Sequence, residues 1–314
     1  MYYTVVGLLI VCILINYGGS TVIQNPTAAS SNEVISSNYS NPVFSTEDSV
    51  KPEVLLQYNW LTEYQTSQAI EIQIGVPDCY RRIPFENTSF AFWLRRLALL
   101  NKAAPVKLYN QQIKAYQAGS YRVLDVDIGT KNLQQCADAV MRLRAEYLFE
   151  TQNFEALHFN YTSGDRVAFN DWAQGRKPIL NNGKVYFSKT LENSDYSYSN
   201  FRKYLKNIFI YAGTASLSKE LVKKEIKDIN PGDVFIKGGF PGHAVLVVDV
   251  AEHQKTGKRI FLLAQSYMPA QSIHLLRNFN NKDLSPWYPE DFGPQLQTPE
   301  WTFDRHSLMG FKDK

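Results

Sequence analysis

Apolar positions along the chain change their period several times, and each change predicts an element. Thr4–Tyr17, TVVGLLIVCILINY, is an almost unbroken apolar run of about 14 residues, shorter than the ~20 that a spanning helix needs. Its length suits the apolar core of a secretory signal, and Gly18 and Ser20 supply small residues for cleavage after Ser20. Only the α-amino group is positive ahead of it, so an uncleaved anchor is the alternative. Residues 21–53 are rich in Ser, Asn, Thr and Pro with no hydrophobic period, the pattern of a flexible polar tether. A folded domain is expected over residues 54–314.

Within that domain Ile70, Ile72 and Ile74 alternate with polar residues and predict a strand. Residues 87–100 predict a helix that Asn87, Thr88 or Ser89 can cap. PVKLYN and YRVLDVDIG, from Pro105 and Tyr121, read as strands. Asn132–Glu150, NLQQCADAVMRLRAEYLFE, holds no Gly or Pro and is the strongest helix signal in the chain. Asn132 with Gln135 three residues on resembles a capping box, which sets Cys136 one turn inside the helix. FEALHFNY and KVYFSK predict strands, and Ser197–Gly213 predicts a helix ending at its glycine, with TASLSKELVKKE continuing helically. DVFIKG, HAVLVVDVAEH and RIFLLAQSYM predict three more strands, the last two joined by the turn QKTG. The aromatic tail TPEWTFDRHSLMGF is expected to pack back on the sheet. Helices followed by an antiparallel group give a single α+β domain.

Composition narrows the function. With 33 basic and 30 acidic residues the net charge is +3, too small to argue for nucleic acid, and no basic run interleaved with aromatics appears. The high aromatic share, 13%, reads first as a thick core. Of three cysteines, Cys12 lies in the export segment, leaving Cys79 and Cys136 as a disulfide or as two thiols. Cys79, just before Tyr80-Arg81-Arg82, does not face the Cys136 helix in any obvious way, so two free thiols are expected. No HExxH or paired-Cys motif is present, so neither metal nor cofactor is indicated.

Cys136 stands at the start of the strongest helix, where backbone N–H groups and the helix dipole favour an anion and lower a thiol's pKa. His243 opens a strand after GGFPG and is the candidate base. A hairpin through QKTG brings Gln265 roughly opposite His243 on the same face, where its amide can orient the imidazole. Helix-start N–H groups would hold an oxyanion. Cys136, Val140, Leu143 and Tyr147 also form one apolar stripe, and a thiol on such a stripe is commonly core. Asp249 could orient His243 only if the strand bends. Ser266 lacks nucleophile-elbow glycines, and GGFPG lacks the ending and the helix of a phosphate loop. His158, His253, His274 and His306 show no partner pattern. The triplets at Asn38, Asn87 and Asn160 are glycosylation sequons by pattern alone.

Cysteine at a helix start, Gly232-Asp233 leading to a glycine loop, GHAVLVV, and a polar residue on the next strand resemble papain-like cysteine peptidases of the NlpC type. The stretches NLQQCADAVMRLRAEYL, FIYAGTASLSKEL, GDVFIKGGFPGHAVLVVDVA, FLLAQSYMPAQSIHLL, SPWY and TPEWTF resemble the bacterial family called domain of unknown function 4846, across residues 54–311. The first resemblance implies a papain-like core, a helix packed on an antiparallel sheet, with N-terminal and central additions. It implies an exported hydrolase of an amide, with a peptide or peptidoglycan-like substrate, at the periplasm or cell envelope. Gln135-Cys136-Ala137-Asp138 stands where those peptidases usually carry Asp-Cys-Ser-Gly, and the interval to His243 is long. Membrane contact is expected only through the N-terminal segment. The alternative is a non-catalytic exported binding module on the same fold.

Overall fold

A computed structural model of the chain describes residues 58–182, 184–189 and 193–312. The apolar N-terminal segment and the polar tether lie outside them. All described residues belong to one unit, Pro52–Lys314.

A nine-stranded sheet forms the centre. Its main path runs Ser120–Val123, His274–Leu276, Arg259–Gln265, His243–His253, Val234–Lys237, Leu308–Gly310 and Val222–Lys223. Every neighbouring pair is antiparallel. Tyr80–Arg82 and Tyr288–Pro289 add short pairings to the two central strands. Those two strands read as continuous apolar runs because both their faces are covered. Ala244, Leu246, Val248, Leu262 and Ala264 face a large cluster shared with the Cys136–Glu150 helix. Val245, Val247, Phe261 and Leu263 face a smaller one with Phe235, Phe303 and Leu308. This α+β plan, helices against a large antiparallel sheet, agrees with the sequence reading, and the tail contributes a sheet strand as expected.

The Cys136–Glu150 helix is buried almost all round, including Met141, Arg142 and Glu146, which marks it as the central helix rather than a surface one. It packs against the Phe90–Arg95 helix, capped by Ser89. Among the described residues no helix is long and apolar enough to cross a membrane.

Several local readings are corrected. Ile70–Gln73 is a helical turn, not a strand. Ile70 and Ile74, four apart, are both buried while Ile72 turns to solvent, so the shared i, i+4 spacing misled the alternation count. PVKLYN forms only isolated bridges, Lys107 to Ile113 and Leu108 to Gln271. The Tyr198–Tyr211 helix stops before Gly213, which instead precedes a separate helix, Thr214–Glu220.

Candidate functional site

The side chains singled out in the sequence come from one helix tip and two strand ends. Gln135 precedes the central helix in extended conformation, and its N–H donates to Asp138 Oδ2 at 3.0 Å. Cys136 is therefore the first helical residue, one turn earlier than an Asn132 cap would have made it. Asn132 Oδ1 instead accepts from the Ala270 N–H at 2.7 Å, tying the loop before the helix to the loop after Gln265. Ser266 Oγ lies 2.8 Å from the Gln134 carbonyl and 2.9 Å from that of Gln271, so this serine is a strut between the same loops. Asp249 sits elsewhere on the strand, fully buried and held by Arg82 and Arg95, each at 2.6 Å. It cannot orient His243, because both its oxygens serve those two guanidinium groups.

His243 leaves its strand on the side of Val245 and Val247. There its ring lies 5.3 Å from Trp301 and 5.8 Å from Phe303. Ala264 pairs with Leu246, which sets Gln265 level with Val245. The contact with His243 is therefore diagonal rather than straight across, but on one face as expected. His243 Nε2 and Gln265 Oε1 are 2.8 Å apart, and both residues are 1% exposed. Gln265 Nε2 donates onward to Glu300 Oε2 at 2.8 Å, and Lys114 Nζ stands 2.7 and 2.6 Å from the two Glu300 oxygens.

The central helix lies on the opposite, Ala244 side of the strand. The Cys136 thiol accepts from the Ala244 N–H, one residue along the strand from His243. Tyr267 spans them: its ring is 4.7 Å from His243, and its hydroxyl is raised by burial, then by Glu300 and by Cys136.

Burial pushes the Cys136 thiol up to about 11, and the Asp138 carboxyl adds to the rise. The N–H groups of Ala244, Ala137 and Cys136 itself oppose this by favouring the anion. The lowered thiol expected from the helix start is overturned. The donors are present, but the packing that aims them also excludes water, and desolvation is the larger effect. Burial likewise lowers the His243 imidazole to about 4; the Gln265 hydrogen bond opposes this and the Lys114 charge reinforces it. Near pH 7 both groups rest neutral.

Cys79 and Cys136 are free thiols, as expected. Among the described residues no group of His, Cys, Asp or Glu is placed to hold a metal ion. A cavity of about 470 Å³ runs along Trp60, Asp127, Lys131, Arg202 and Phe209 to Gln134, two residues before Cys136. Phe240, three residues before His243, and Met268, next to Tyr267, are 88% and 67% exposed.

Residues 70–310 match the family described as domain of unknown function (4846). The chain belongs to that family. No curated protein and no solved structure matches it.

Three side chains of this family member escaped the sequence reading: Lys114, Tyr267 and Glu300. Tyr267 was within reach, since it follows Gln265 by two in the run RIFLLAQSYM read as a strand, although the strand itself ends at Gln265. Lys114 and Glu300 carried no signal, because each lies in an irregular segment that only the fold brings to Gln265.

Proposed function

We propose that this protein is an exported cysteine hydrolase of papain-like plan that cleaves an amide, with a cell-wall peptide as substrate class. The observation that carries the reading is the 2.8 Å contact between His243 Nε2 and Gln265 Oε1. It leaves Nδ1 as the ring nitrogen open to a proton, on a residue whose following N–H faces the Cys136 thiol. In the proposed reaction Nδ1 takes the thiol proton as sulfur attacks the amide carbon. The N–H groups of Cys136 and Ala137 hold the resulting oxyanion. The C–N bond then breaks and the amine leaves with the proton from Nδ1. Water, deprotonated by the same nitrogen, hydrolyses the thioester to a carboxylic acid and free thiol.

Both groups rest neutral, so the proton moves only when a substrate occupies the site. The rings of Trp301, Phe303 and Tyr267 around His243 keep water out until then. The same burial favours a second reading, a non-catalytic binding module that keeps the arrangement without turnover.

The test is to incubate the full chain with a muropeptide digest and analyse the Cys136 peptide by mass spectrometry. The expected result is an acyl adduct on Cys136 and release of new amines, both lost in Cys136→Ala. Release that persists in Cys136→Ala would reject Cys136 as the nucleophile; no adduct and no release in the wild type would reject the hydrolase in favour of the binding module.

A further inference from the structure

We propose that Glu300, held by Lys114, is a positioning residue that fixes the tautomer of His243 through the Gln265 amide. The functional value of this device rests on the proposed use of His243 as a base. Its physical content, one amide orientation and one imidazole tautomer, is measurable whether or not the protein turns over a substrate.

A glutamine beside a neutral imidazole does not by itself choose a tautomer. The amide presents either its oxygen or its NH2 group to Nε2, and the two orientations have nearly the same shape. The consequences are opposite. With oxygen toward the ring, Nε2 must carry the hydrogen and Nδ1 keeps a lone pair that can accept a proton. With NH2 toward the ring, the hydrogen sits on Nδ1, which then cannot act as a base.

At Gln265 the far end of the amide settles the choice. Its Nε2 stands 2.8 Å from Glu300 Oε2. An ionised carboxylate only accepts, so the NH2 group must face it; a flipped amide would set oxygen against oxygen at that distance. Lys114 Nζ donates to both Glu300 oxygens, so each already faces a donor and neither presents a hydrogen to Gln265. Side-chain exposures of 12% for Lys114 and 15% for Glu300 leave little water to compete. Oxygen therefore faces His243, and the 2.8 Å contact there is Nε2–H donating to Oε1.

The amide passes on direction without passing on charge. A carboxylate placed directly on the ring would favour the imidazolium. Acting through Gln265, and with Lys114 neutralising it, Glu300 orients the ring and leaves it uncharged. The strand pair Gln295–Gln297 and Thr302–Asp304, which flanks Glu300, also carries Phe303, and Trp301 adjoins it. One hairpin thus supplies the orienting carboxylate together with the rings that dry the imidazole.

The tautomer is read directly from imidazole ¹⁵N shifts in the full chain labelled with ¹⁵N-histidine. Five histidines give few signals, and His243 is assigned by its loss in His243→Asn. The expected wild-type state is one tautomer, hydrogen on Nε2 and a lone pair on Nδ1. In Glu300→Gln the second amide can meet Gln265 either way round, and the Nδ1–H population should rise from under about a tenth to about half. Lys114→Arg keeps a cation on the Glu300 carboxyl and should leave the wild-type spectrum unchanged. A wild-type His243 with its hydrogen on Nδ1 overturns the proposal outright, even if Glu300→Gln fails to fold. An unchanged single tautomer in folded Glu300→Gln overturns it too, since Gln265 would then choose alone. A tautomer shift in a protein that forms no acyl adduct would retain this inference while rejecting the hydrolase.

Discussion

The raised thiol makes a prediction that runs against the usual picture of a helix-start cysteine. Cys136 is pushed up to about 11 from an ordinary 9.0, chiefly by burial. At pH 7 the thiolate fraction is then about one in ten thousand, against about one in a hundred for an unshifted thiol. Carbamoylmethylation of Cys136 by iodoacetamide should therefore be ~100-fold slower than for an unshifted thiol, before any slowing from poor access. Access lowers the whole profile but does not move it along the pH axis, so the decisive quantity is where the rate levels off. Full chain is pulsed with iodoacetamide from pH 5 to 11, and the Cys12, Cys79 and Cys136 peptides are quantified separately by mass spectrometry. The Cys136 rate should rise about tenfold per pH unit and level off only near 11. A plateau between pH 5 and 8 would show a preformed thiolate–imidazolium pair and refute the reasoning that burial outweighs the helix-start donors. The same shift bears on stability. The folded state prefers the protonated thiol, so its contribution is fully present below pH 9 and is lost as pH rises through 11, about 3 kcal/mol in all.

Other predictions follow from the same packing. His243 and His274 are both buried and both lowered to about 4 from 6.5. Their contribution to stability is present above pH 6.5 and lost as pH falls through 4, about 3 kcal/mol for each, so denaturant midpoints should drop steeply over that window. A Cβ at Gly242 would come within 2.3 Å of Thr214 Oγ1 and 2.5 Å of the Gly239 carbonyl, so Gly242→Ala should cost about 1–3 kcal/mol by the same assay. Asp249→Ala strands Arg82 and Arg95 near a fully buried site and should cost about 3–5 kcal/mol. An Asp249→Ala protein as stable as the wild type would refute that account of the ion cluster.

What the sequence determined by itself was carried by local physics. The apolar runs HAVLVVDVAEH and RIFLLAQ were legible as strands because their composition suits a sheet covered on both faces, and QKTG as the turn that joins them. The long helix from Cys136 was legible from its propensities, and Gln265 beside His243 followed from pairing the two strands through the QKTG turn. Tertiary structure decided the rest. It chose Gln135 over Asn132 as the residue before the helix, because Asn132 was needed to tie down Ala270. It turned Ile70–Gln73 into a helical turn because burying Ile70 with Ile74 left Ile72 to solvent. It brought Lys114 and Glu300 to Gln265 from segments 151 and 35 residues away, a distance no local pattern spans. It also reversed the sign of the Cys136 shift. Helix-start donors can be read from sequence because they are local. The water that packing removes depends on every segment that closes over the thiol, so desolvation can be known only from the folded chain.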